Sequence, residues 1–234
     1  MLRVLIAIGL KPDPRLEEIR RLAPVEEVPQ SRLASLARGA VHQGVVAEVK
    51  PRPLLALRDL LAESPDLLVA LDGVEDPQNL GAILRSAEAA GAGGVVLPQH
   101  RSAPLSASTV KASAGAVEYL RLCQVAGIAG ALLEIKRAGL WCVALDPEGE
   151  LAAWEFDFTQ PVCVVVGGEG RGVGRLVGER CDARVRLPMK GRVASLNASA
   201  AAAALLYEVT RQRSTSPSPQ SGEGRGGASS DLPR

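Results

Sequence analysis

Aromatic side chains are nearly absent from this sequence: two Trp, two Tyr and two Phe in 234 residues. Any core must therefore be built from Ala, Leu and Val, which with Gly dominate the composition. Histidine is as scarce, His42 and His100 only, which argues against a zinc site and against a Ser-His-Asp triad. The four cysteines, Cys123, Cys142, Cys163 and Cys181, form no C-x-x-C pair, and each reads as a small buried hydrophobe. Net charge is only +1, so the global basic signature of a nucleic-acid-binding protein is missing, although a local patch suffices for such binding. No apolar run is long enough to cross a bilayer, and the opening Met1-Leu-Arg-Val-Leu-Ile-Ala-Ile-Gly is too short for a signal peptide. The expectation is a reduced, cytoplasmic protein with neither membrane nor metal as a partner.

What is present is a regular alternation of elements. Length allows one large or two modest domains. Residues 1–53 read as a small α/β unit: strand Arg3 to Ile8, helix Pro14 to Leu22, strand Val25 to Val28, helix Ser31 to Arg38, then a turn and strand from Ala40 to Val49, ended by Pro51 and Pro53. A domain beginning on a core strand is expected to be incomplete at its N-terminus. A linker helix is predicted within 54–66. From Leu67 the pattern alternates strand and helix through Leu67 to Leu71, Leu80 to Ala90, Gly94 to Leu97, Ser108 to Ala114, a strand near Tyr119 to Cys123, Ile128 to Ala138, Leu140 to Leu145, Val162 to Val166, Gly174 to Glu179 and Ala183 to Leu187. Such alternation implies a mostly parallel sheet covered on both faces. An Ala-rich helix entered near Ser195 and running to Arg213 closes the domain. Residues 214–234 are Ser, Pro, Gly and scattered charge, a composition expected to be disordered.

Three stretches carry chemistry. In the first, strand Leu67 to Leu71 leads through Asp72-Gly-Val-Glu-Asp-Pro-Gln into a helix with Asn79 at its start and Arg85 six residues on. Alone, Asn79 is a cap and Arg85 a solvated charge. The carboxyl ends of parallel strands, however, are where ligands bind in open α/β sheets, and an Arg there suits phosphate. The second, Val164-Val-Val-Gly-Gly-Glu-Gly-Arg-Gly-Val-Gly, is Gly-rich yet matches neither a P-loop nor G-x-G-x-x-G. Its glycines allow a ligand to approach the backbone, and Glu169 stands among them. The third, Leu187-Pro-Met-Lys-Gly-Arg-Val-Ala-Ser-Leu-Asn-Ala-Ser, sets apolar Leu187 and Leu196 beside polar Ser195 and Asn197. An apolar slot with amides and few charges suits an adenine ring better than a triphosphate.

In this order and spacing, the three stretches resemble the motifs of the SpoU (TrmH) branch of knotted RNA methyltransferases, over about Leu67 to Arg213. The Ala40-Val-His-Gln-Gly-Val-Val-Ala stretch resembles the family's two-domain members, which carry a ribosomal-protein-like RNA-binding domain and methylate a guanosine ribose in 23S rRNA. The family's usual opening strand and helix, with a Gly-x-His-like element, has no counterpart here. The resemblance implies a parallel α/β domain ending in a deep trefoil knot, a rare exception to unknotted topology. It implies S-adenosylmethionine as cofactor and RNA as substrate, 23S rRNA first and tRNA as the alternative, in a homodimer paired through the motif-one and final helices. Arg85, Asn79, Glu169, Ser195 and Asn197 occupy the positions of the family's catalytic motifs, and Gly167, Leu187, Leu196, Leu145, Met189 and Asn197 those that line the cofactor pocket. A non-catalytic RNA-binding module of the same fold and a Rossmann-type nucleotide binder are the rival classes. The presence of Arg85 and Asn197 opposes the first, and the failed glycine fingerprints oppose the second.

Overall fold

The computed structural model describes residues 2–37, 41–50 and 52–215. The N-terminal part forms β1 (Arg3–Ala7), α1 (Pro14–Leu22), β2 (Val25–Val28), α2 (Gln30–Ala37) and β3 (Val45–Glu48). Its three-stranded sheet has the order β2-β1-β3, with β1 parallel to β2 and antiparallel to β3. Asp13 starts α1 by accepting from the Arg15 amide, with Pro14 at the first helical position, where its missing N–H costs nothing. Leu5, Ala7, Val28 and Leu33 make a separate small core.

The linker is not one long helix. Only Leu57–Leu61 is helical, as α3. Leu55 instead pairs as an extended bridge with Cys123, its N–H donating to Leu122 O at 2.8 Å. The edge strand offers unpaired carbonyls, and satisfying one there outweighs another turn of helix.

The larger part runs β4 (Leu67–Asp72), α4 (Pro77–Ala89), β5 (Gly94–Pro98), α5 (Ala107–Ala112), a 3-10 turn at Ala116–Glu118, β6 (Leu122–Val125), α6 (Ile128–Arg137), β7 (Trp141–Leu145), β8 (Leu151–Ala152), β9 (Val162–Gly167), α7 (Arg175–Arg180), β10 (Ala183–Arg186) and α8 (Ala198–Thr215). Seven strands form one sheet in the order β6-β5-β4-β9-β7-β10-β8, and every pairing in it is parallel. Strand β8 and a following 3-10 turn have no counterpart in the sequence-based expectation, because two residues carry no periodicity to detect.

Alternate residues along β4 serve opposite faces, as strand geometry requires. Leu67, Val69 and Leu71 join Leu80, Ile83 and Leu84 of α4 and Ala202, Leu205, Leu206 and Val209 of α8. Leu68 and Ala70 join Leu57 and Leu60 of α3, Ile128, Leu132 and Ile135 of α6 and Val177 of α7. The result is a three-layer sandwich.

Two expected boundaries move. Helix α8 starts at Ala198, not near Ser195, because Asn197 is the residue whose side chain accepts from the Ser199 and Ala200 amides. It continues to Thr215, so Ser214 and Thr215 are helical rather than part of a tail; the rest of the expected tail, 216–234, lies outside the described residues. Near its end, Arg213 donates to the carbonyls of Phe158, Asp66 and Gln160 at 3.0, 2.8 and 3.1 Å and pairs with the Asp66 carboxylate at 3.0 Å. That fork ties the last helix to the amino ends of β4 and β9.

Candidate active site

Asp72 ends β4, and Gly73, at φ +79, turns the chain toward α4. Asp76 is the N-cap, accepting from the amides of Gln78 and Asn79, so the helix begins at Pro77 rather than at Leu80. Asn79 is thereby freed from capping. The residue is 6% exposed, a burial that a polar amide tolerates only when bonded. Its Nδ2 donates to Glu169 Oε1 at 2.6 Å, and its Oδ1 accepts from Asn197 Nδ2 at 3.0 Å. Asn197 Nδ2 also donates to Glu169 Oε1 at 2.8 Å. One carboxylate oxygen thus collects two amide donors, one from helix α4 and one from the residue that caps α8.

The Gly-rich stretch after β9 serves a purpose the sequence did not disclose. A Cβ on Gly168 would collide with the Gly73 carbonyl, and one on Gly167 with the backbone of Gly172 and Val173. The close approach is made by the protein's own loops, not by a ligand. Gly168 N–H donates to Asp72 O at 2.9 Å, Gly172 N–H donates to Gly168 O at 3.0 Å, and the Asp72 carboxylate accepts from Gly174 N–H at 2.8 Å. Gly170 and Gly172 adopt φ of +75° and +61°, conformations that favour glycine. The loop is a self-bonded platform that presents Glu169.

Beside this network lies a cavity of about 670 Å³ at the carboxyl ends of β7, β9 and β10, within the range of about 300–1,000 Å³ usual for small-molecule sites. Leu145, Gly167, Leu187, Met189, Leu196 and Asn197 all line it, as do Glu169 and Ser195. Sequence reasoning missed Pro147, Val166, Arg186, Pro188, Ala194 and Ala201, which also line it; all but Arg186 are small or apolar and carry no signal that separates them from ordinary core. Apolar walls, glycine backbone and a few amides are a lining that fits S-adenosylmethionine, with room for an adenine ring between Leu145, Leu187 and Leu196. No group of three or more His, Cys, Asp or Glu side chains able to hold a metal occurs among the described residues.

Arg85 is the exception. It is exposed, does not line the cavity, and makes no hydrogen bond or ion pair among the described residues. Six helical positions turn it well away from Asn79 around α4. Ser195 lies exposed at the cavity rim, likewise without a side-chain hydrogen bond among the described residues. Neither Asn79 nor Ser195 hydrogen-bonds Arg85 within one chain among the described residues; Asn79 is committed to Glu169 and Asn197.

The profile described as the SpoU rRNA Methylase family matches residues 66–207, and one described as RNA 2′-O ribose methyltransferase substrate binding matches residues 1–55. The chain belongs to the SpoU rRNA methylase family. It is 43% identical over 210 residues to the 23S rRNA (guanosine-2′-O-)-methyltransferase RlmB of Pseudomonas putida, covering 86% of this chain and 85% of that protein. It is also 43% identical over 218 residues to an uncharacterized tRNA/rRNA methyltransferase of Mycolicibacterium vanbaalenii, covering 89% of this chain and 69% of the relative. Among solved structures, the SpoU methyltransferase AviRb of Streptomyces viridochromogenes in complex with AdoMet superposes with a TM-score of 0.77 at 29% identity. That match covers 92% of this chain and 83% of AviRb. In this SpoU methylase, then, the second and third of the stretches that the sequence singles out line one cavity, and the first joins them through Asn79, with Arg85 apart.

Proposed function

We infer that this chain transfers a methyl group from S-adenosylmethionine to the 2′-hydroxyl of a guanosine ribose in 23S rRNA. The observation that carries this is the cavity at the carboxyl ends of β7, β9 and β10, walled by Leu145, Leu187 and Leu196 and adjoining the Asn79–Glu169–Asn197 network. The identity to RlmB supports the rRNA assignment. When bound, the cofactor supplies a methyl already activated by its sulfonium charge, so positioning is the protein's main task. Glu169 fixes the two amides, Ser195 offers a free hydroxyl to the ribose, and Arg85 grips the adjoining phosphate and stabilises charge developing on the 2′-oxygen.

The site is read as completed in a homodimer. Arg85 faces away from its own chain's cavity, and α8 keeps an exposed side carrying Ala200, Ala204 and Tyr207. Part of the Ala run is used internally, since Ala202 is fully buried with Leu205 and Leu206. The deep knot expected of the family is proposed as well. Its support is that β10 lies two strands beyond β9, while α8, joined to it by 187–197, returns to pack on α4. The reading places the enzyme in the cytoplasm with its ribosomal substrate.

Mapping ribose methylation in a strain lacking the gene tests the function. One guanosine 2′-O-methyl should disappear from 23S rRNA and return on complementation. Loss of a tRNA methylation instead, with 23S rRNA unchanged, overturns the substrate assignment.

A further inference from the structure

A second cleft, of about 420 Å³, opens in the small domain where β1 ends, bounded by residues 7–10, Gln30 and residues 41–44. Its chemistry is mixed. Ile8 and Val41 are 63% and 70% exposed, giving two aliphatic surfaces at the rim. Gln30 and Gln43 each bring an amide that donates and accepts. His42 accepts the Gly44 amide on Nδ1 at 3.1 Å, which leaves its ring proton on Nε2 as a further donor. Gly44, at φ +86, lacks the Cβ that would meet Leu10 Cδ1 at 2.6 Å, so Leu10 closes the floor.

Charge favours the same end of the domain. Acids at the other end of β1 are taken up in pairs: Arg3 holds Glu26 at 2.7 Å and Glu48 at 2.8 Å, and Arg32 holds Glu26 at 2.9 Å. Lys11, next to Leu10 of the cleft, is exposed and has no partner among the described residues. From the methyltransferase domain, Lys111 of α5 donates to Val41 O at 3.1 Å. Helix α5 packs closely on α4 at Gly81, where a Cβ would strike Ala112. The cleft's loop is therefore bonded to α5, which packs on the helix whose first turn holds Asn79.

Apolar faces at the rim, three hydrogen-bonding side chains within and lysines outside suit one occupant. We propose that this cleft binds a single unstacked base of the RNA substrate, read on its edge by Gln30, His42 and Gln43. Sequence-specific RNA recognition works on such splayed bases, held between side chains and hydrogen-bonded at their edges. This specificity site, remote from the methyl-transfer cavity, rests on the rRNA-methyltransferase reading.

The test uses the full chain and deproteinised 23S rRNA from a strain lacking the gene. Gln43 sits at φ 50, so Gln43→Gly removes the amide without straining the backbone, and Gln30→Ala removes the other. For the double variant, Kd for rRNA by filter binding and KM for rRNA should each rise about tenfold or more. Its kcat, S-adenosylmethionine affinity and Tm should match the parent. Double-variant binding within twofold of the parent overturns the proposal. A parent that binds the rRNA better than the variant yet transfers no methyl overturns the functional reading and leaves the base site standing. A parent that does not bind it overturns both.

Discussion

Asn197 Nδ2 donates to Asn79 Oδ1 at 3.0 Å although the two residues are 118 positions apart in the chain. Asn197 Oδ1 accepts from the Ser199 amide at 2.9 Å and the Ser199 hydroxyl at 2.6 Å. One amide therefore starts helix α8 with its oxygen and joins α4 to Glu169 with its nitrogen. Helix capping and site assembly are the same set of bonds.

Glu169→Gln is expected to lower kcat/KM for RNA about tenfold or more with little change in Tm. It keeps an acceptor for the two amides but removes the charge that strengthens both bonds. Asn197→Ala should lose activity and, in addition, about 1 kcal/mol of stability from the missing cap. Steady-state kinetics and urea unfolding separate the two effects; an Asn197→Ala protein as stable as its parent would contradict the capping role.

Two glycines of the same loop should respond differently. Gly168→Ala pushes a Cβ into the Gly73 carbonyl and should cost more than about 2 kcal/mol, abolishing cofactor binding. Gly170→Ala meets nothing within 4 Å but keeps a φ of +75°, a strain of about 1–2 kcal/mol. Thermal denaturation and calorimetric titration with S-adenosylmethionine give the comparison, and equal effects would remove the case for the Gly73–Gly168 crossing.

Arg85→Ala and Arg85→Lys should leave Tm and S-adenosylmethionine affinity unchanged, since Arg85 bonds to nothing among the described residues and does not line the cavity. Both should lose most methyl transfer, Lys somewhat less, because it keeps charge without the two-pronged grip. Near-parental turnover of Arg85→Lys on rRNA would refute the phosphate-gripping role. Light scattering should find a dimer at micromolar concentration; a fully active monomer contradicts the shared site.

The thiols carry a pH prediction. Burial pushes Cys123 up to about 11 and Cys181 up to about 12. Both therefore stay protonated at pH 8 and should resist Ellman's reagent until the protein unfolds. The sign for stability follows from proton binding. Above the ordinary thiol range the unfolded chain releases protons that the folded chain retains, so stability falls as pH rises from about 9 toward 11. Rapid labelling of Cys123 in the native protein at pH 8 would show that this buried thiol is not enclosed.

Periodicity and local turn chemistry decided much of this protein from sequence alone. Helix α1 and strand β2 lie where the apolar spacing and Pro14 put them, and alternation alone announced a parallel sheet covered on both faces. That Gly167, Leu187 and Leu196 line one cavity agrees with the family resemblance, in which they fall in motifs with a fixed order. Tertiary structure decided the rest. Asp76 rather than Asn79 caps α4, Asn197 rather than Ser195 starts α8, and the glycines of 167–172 make room for neighbouring backbone. Arg85 stands apart from the network that its motif neighbour Asn79 joins. Capping and helical periodicity act over about four residues and leave a local trace in the sequence. A contact spanning 118 positions depends on how the sheet brings β4, β9 and α8 together, which no local pattern encodes.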